Sequence, residues 1–182
     1  MKKILLLSSV FISLFATAQK GKSYLKIAPT VFIPNHEAAA PGIMGGFGIR
    51  GKYVAGGLST GFFKLPSLKG IFDIGGEIIA TEFGVNKVRP LVGLSVHYPV
   101  LNEVVKTGSG TSLVETTTKG KLQYGGSAGV AFPVKGRKLF LSGGFTKLKL
   151  QTTTKGRSGT ASYVNKTEFD NDLITVSIGL IL

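Results

Sequence analysis

The sequence contains no cysteine and no tryptophan, and only 9 acidic residues stand against 22 lysines and arginines. The first absence excludes a disulfide framework, a cysteine-ligated zinc site and a thiol nucleophile. Long apolar runs are missing as well. Beyond the first residues the longest uncharged stretches are 38–49, 53–63, 90–102 and 122–134. They fall short of the roughly 18 apolar residues of a spanning helix, but match the roughly 9–11 of a tilted spanning strand. Glycine, by contrast, is plentiful at 26 residues. Each costs roughly 1 kcal/mol in a helix relative to alanine. Here the glycines sit inside β-like runs, where they permit curvature and close packing. The shortage of acids leaves a net charge of +13 and a pI near 10.0. The cations are spread over strand ends and loops without a clustered patch or an RNA-binding signature, so no nucleic-acid partner is expected.

The chain opens with Lys2 and Lys3, an apolar run, and Ala16-Thr17-Ala18. This is the form of a secretory signal with an A-x-A cleavage site. Cleavage between Ala18 and Gln19 is expected, giving a signal peptide over 1–18 and one domain over 19–182. An exported chain without disulfides must be held by something else, here by closure of a hydrogen-bonded ladder and by lipid.

At the other end, Ile174, Val176, Ile178, Leu180 and Leu182 alternate with Thr175, Ser177, Gly179 and Ile181. That period of two marks a strand with one apolar and one largely small or polar face. It runs to the last residue, as the closing strand of a barrel would. The same reading gives eight strands, near 22–33, 42–51, 53–63, 71–83, 87–98, 121–132, 138–149 and 171–182. Short connections at Gly51-Lys52, 84–86 and 133–137 alternate with longer ones at 34–41, 64–70, 99–120 and 150–170. The expected fold is all-β, a closed eight-stranded antiparallel up-and-down transmembrane barrel with long loops at one end and short turns at the other. Phe62, Phe72, Tyr98 and Tyr124 fall on the apolar face near the long-loop end, where an interfacial girdle belongs, and Phe132 marks the opposite rim. Pro29 and Pro90 lie inside strands and point to a bulge or a strand start, because proline donates nothing to a ladder.

With its signal, alternating segments, alternating loops and terminal strand, the chain resembles the small eight-stranded outer-membrane β-barrels of Gram-negative bacteria, the OmpA/OmpX-like porin-type family. The resemblance implies an integral outer-membrane protein, surrounded by outer-membrane lipid and lipopolysaccharide and inserted by the barrel-assembly machinery. It carries no activity motif and implies no cofactor, metal or specific protein partner. Such barrels typically end in an aromatic residue, and Leu182 stands there instead.

Arg50, Asp73, Glu77 and Arg89 are phased to the non-lipid face, and Lys26 is placed with them. An eight-stranded barrel is just wide enough inside for side chains to fill, and buried charges must pair or be wet. The five are therefore read as a polar lumen network that plugs the barrel, with a gated path for small solutes as the alternative. Ser95 and His97 share a strand face two residues apart. A lipid-modifying hydrolase using them is a further alternative, although the sequence names no acidic residue to orient the histidine. His36 with Glu37 is too small a set for a metal site. The long loops, rich in hydroxyls and cations around Lys106, Lys121 and Lys155, suit contact with anionic surface groups. A soluble lipocalin-like barrel, with its greasy face turned inward, is the remaining fold alternative.

Overall fold

The computed structural model describes residues 22–35, 38–65, 70–83, 86–109, 112–158 and 161–182. The cleavage site Ala18–Gln19 and the pair His36–Glu37 lie outside them. Ten strands are present among the described residues: β1 (Lys22–Pro34), β2 (Ala40–Arg50), β3 (Val54–Lys64), β4 (Gly70–Ala80), β5 (Arg89–Val100), β6 (Asn102–Ser109), β7 (Ser112–Gly120), β8 (Gln123–Val134), β9 (Arg137–Ser158) and β10 (Ala161–Ile181). Eight of them form a closed antiparallel ring in the order β1-β2-β3-β4-β5-β8-β9-β10, and β10 returns to β1.

Alternation holds along the part of each strand that lies in the ring. Val54, Leu58 and Phe62 of β3, Phe72 and Ile74 of β4, and Val92, Leu94 and Tyr98 of β5 are exposed on the outside. The closing seam keeps one register from Lys26↔Ile181 to Pro34↔Leu173. Pro29 faces outward within an unbroken alternation, so no bulge forms. The pairs of Ala28 and Pro29 are missing from the ladder there, as expected of a residue without an N–H. Pro90 likewise faces out, opposite Val130.

The two longest connections are not loops. Strands β6 and β7 pair antiparallel from Asn102↔Lys119 to Ser109↔Ser112, and β7 pairs with β9 from Gly120↔Leu150 to Ser112↔Ser158. The 22 residues of β9 and 21 of β10, each roughly 70 Å long at about 3.3 Å per residue, therefore run far past the ring. Their upper halves with β6 and β7 make a four-stranded sheet standing on the loop end. Threonine explains the difference from the sequence reading. Thr116, Thr117 and Thr118 pair with Thr154, Thr153 and Thr152. These residues are polar, yet β-branched and suited to a pleated surface.

The ring's interior is layered. At the turn end Tyr24, Ala55, Ile79, Phe83, Leu91, Phe140 and Ile181 form one apolar cluster. At the loop end Phe32, Phe63, Leu65, Ile71, Leu148 and Leu173 form another, with the Phe32 and Phe63 rings stacked 4.2 Å apart. Polar side chains lie between the two.

Candidate functional site

The polar layer is built by side chains that reach across neighbouring strands. Glu77 leaves β4 opposite Gly57 of β3 and crosses toward β1, where its carboxylate is ion-paired with Lys26 Nζ. Tyr24 OH donates to Glu77 Oε1 at 3.1 Å. The path is open because β2 and β3 contribute glycine along it. Gly46 is paired with Lys26, and a Cβ there would overlap the Glu77 carboxylate. Both charges are buried, with side-chain exposures of 10% and 5%. At that depth the pair must be complete to be tolerated.

A second group lies toward the loop end. His97 Nδ1 is 2.8 Å from Asp73 Oδ1, and its Nε2 is 2.7 Å from Ser59 Oγ. Gln123 Nε2 donates to Asp73 Oδ2 at 3.4 Å. Here too a glycine makes room: His97, Gly75 and Ser59 stand in one row across β5, β4 and β3, and a Cβ on Gly75 would come 2.6 Å from His97 Cδ2. Across the seam Thr30 Oγ1 and Ser177 Oγ meet at 2.8 Å.

The five sequence-selected lumen residues thus occupy three places. Lys26 and Glu77 form the central pair, and Asp73 is held by His97 and Gln123. Arg50 and Arg89 sit at the turn-end mouth. There Arg50 lies over the Phe83 ring at 5.4 Å. Arg89 Nε is 2.8 Å from Glu82 Oε2, off the hydrogen-bonding direction of its N–H. Sequence reading passed over Tyr24, Ser59 and Gln123. Their polar ends on inward positions were the available signal, but the reach between strands depends on register and on which glycines lie along the way.

Ser95 is not the partner of His97, because both ring nitrogens are taken by Ser59 and Asp73. Side chains two apart on a strand stand parallel, whereas the imidazole lies across Gly75. With Nδ1–H donating to Asp73, Nε2 accepts from the Ser59 hydroxyl. That is the bonding order of a serine nucleophile, its base and the base's orienting carboxylate. The surroundings are closely packed. Ser59 is 2% exposed and the Phe32–Phe63 layer lies toward the loop end. A cavity against His97, Asp73 and Gln123 holds only about 10 Å³. A cavity of about 60 Å³ bordered by Lys26, Glu77, Ser95, Ser142 and Ser177 has room for a handful of waters. Among the described residues no three His, Asp or Glu side chains gather as a metal would require.

No family model matches the sequence, and no curated protein matches it. Among solved structures the chain is similar to Neisserial surface protein A (NspA), with a TM-score of 0.54 and 16% identity over 88% of this chain and 94% of that one. It is also similar to the N-terminal β-barrel domain of Pseudomonas aeruginosa OprF, with a TM-score of 0.48 and 11% identity over 89% of this chain and 99% of that one. The likeness to NspA is one of fold, that of a small eight-stranded antiparallel barrel.

Proposed function

We propose that this barrel is an integral outer-membrane protein with a plugged lumen, serving a structural or surface-interaction role without catalysis. The carrying observation is the outer face. Leu58 is 65% exposed, Leu94 63% and Phe47 62%, and they belong to an apolar band around the ring. A soluble monomer rarely exposes an apolar patch of more than a few hundred Å², whereas lipid makes such a band favourable. The same observation disfavours the lipocalin-like alternative, whose outer face would be polar. Three stacked layers, apolar, polar and apolar, support a closed lumen over a solute pore. The buried Ser59 supports a hydrogen-bonded strut over a hydrolase. The cleavable signal over 1–18, delivery by the barrel-assembly machinery and contact with lipopolysaccharide belong to the same proposal.

On this reading the protruding sheet faces outward from the cell. Many of its cations already have partners: Lys106 with Glu115, Lys121 with Glu168, and Lys149 with Asp170. Such exposed pairs contribute little to stability, and they moderate the positive charge offered to lipopolysaccharide phosphates. Membranes from expressing cells, washed with carbonate and then urea, test the proposal. The protein is expected to stay in the pellet, and its release by either wash would overturn the membrane assignment.

A further inference from the structure

The turn-end mouth holds a crevice of about 430 Å³ whose lining includes Arg50, Phe83, Asn86, Lys135, Arg137 and Lys138. We propose that this crevice binds a phosphate-class oxyanion. Among the described residues its lining contains Arg50, Lys135, Arg137 and Lys138 and no carboxylate, and Lys138 already has a partner. The nearby acid Glu82 lies against Arg89. Arg50 is held against Phe83, and its Nε is buried with no hydrogen-bond partner among the described residues. A guanidinium fixed in this way keeps its remaining donors in the fork that matches phosphate or carboxylate. Arg50, Lys135 and Arg137 at one mouth favour a dianionic phosphate over a single carboxylate.

The turn itself adds a further sign. Lys135 and Gly136 both have positive φ, 44° and 81°, in a two-residue connection closed by the pair Val134↔Arg137. The left-handed conformation suits Gly136 but strains Lys135, since asparagine, aspartate or glycine ordinarily takes that place. A lysine kept there at a conformational cost directs attention to its charge. The volume lies within the roughly 300–1,000 Å³ of ligand pockets, large enough for a phosphate together with part of the group that carries it. On the membrane reading the mouth opens to the periplasm beside the inner leaflet. The same chemistry could therefore come from a phospholipid headgroup or from a soluble phosphate.

The test uses the folded protein in maltoside micelles, which carry no phosphate. Inorganic phosphate and a short-chain phosphatidic acid are titrated separately, each against sodium chloride at matched ionic strength, while the Arg50 Nε–H and Gly136 amide resonances are followed by NMR. Saturable shifts at both groups are expected. Arg50→Gln should weaken binding about tenfold, as loss of one charge-assisted hydrogen bond implies. Arg137→Gln, at the exposed first residue of β9, provides a second variant should the first fail to fold, and a similar weakening is expected. Saturation with inorganic phosphate alone assigns a soluble ligand, and saturation with the lipid alone assigns the headgroup. Shifts matched by sodium chloride, absent with both probes, or unchanged in the folded variants would overturn the site.

Discussion

At the level of single residues, the lumen depends on side chains that are absent as much as on those present. Glu77 reaches Lys26 only because Gly46 leaves its place on the wall empty. Glycine inside a strand ordinarily costs roughly 0.5–1 kcal/mol relative to alanine, so Gly46→Ala would be mildly stabilising in an ordinary strand. Here the added methyl displaces the carboxylate and leaves Lys26 buried without its partner, for which the scale is about 3–5 kcal/mol. Gly46→Ala is therefore expected to destabilise the folded barrel, and the same change in a Glu77→Ala background should be neutral or stabilising. Urea unfolding of the unaltered protein, the two single variants and the double variant in lipid vesicles gives this cycle directly. Equal effects of Gly46→Ala in both backgrounds would contradict the crossing. The inward phase of Lys26, Asp73 and Glu77 was legible in the sequence, since period two assigns every residue a face. The choice of partners was not: Asp73 goes to His97 and Glu77 to Lys26 through cross-strand glycines, and no local pattern encodes that.

At the level of elements, the ring strands were legible within about two residues at most boundaries, because each has one apolar face and one small or polar face. The protruding sheet was invisible for the opposite physical reason. Residues 161–170 are exposed on both faces, so the alternation that marks a half-buried strand disappears, and hydroxyl-rich sequence reads as loop. The ladder supplies what the pattern lacks. Thr117 stands between Val104 of β6 and Thr153 of β9, in the interior of that sheet. Proline there removes an N–H and fits poorly in a central strand. Thr117→Pro is expected to abolish slow amide exchange in β6 and β7 while leaving the ring strands β1 to β5 protected. In the unaltered protein the β7 amides should exchange markedly more slowly than those of an unstructured chain. Fast exchange throughout 112–120 would return these residues to a loop.

At the level of the whole molecule, the barrel is inverted relative to a water-soluble one only on its outer surface. Its interior is still a packed core, apolar at both ends and polar between. Charged substitutions are therefore penalised on both faces. Ile178 is 53% exposed, whereas Ser177 is 8% exposed and bonded to Thr30. On the membrane reading a charge at Ile178 meets lipid, at a cost of roughly 2–4 kcal/mol for a cation near the midplane. A charge at Ser177 meets a nearly filled lumen, so tolerance at Ser177 is limited as well. Single cysteines discriminate the two faces more cleanly, and the chain's lack of native cysteine makes each the only thiol. Ile178→Cys is expected to react with a lipophilic fluorescent maleimide in vesicles, and its fluorescence should be quenched by nitroxide-bearing lipid. Ser177→Cys should stay unreactive until the barrel is unfolded in denaturant. Pro29 stands opposite Ile178 at the point where the seam's ladder is interrupted, so this pair also probes closure. A seam that opened in the membrane would expose Ser177→Cys to water and to polar maleimides. Labelling at both positions in the folded protein would thus refute the closed ring, and labelling at Ser177→Cys alone would reverse the facing.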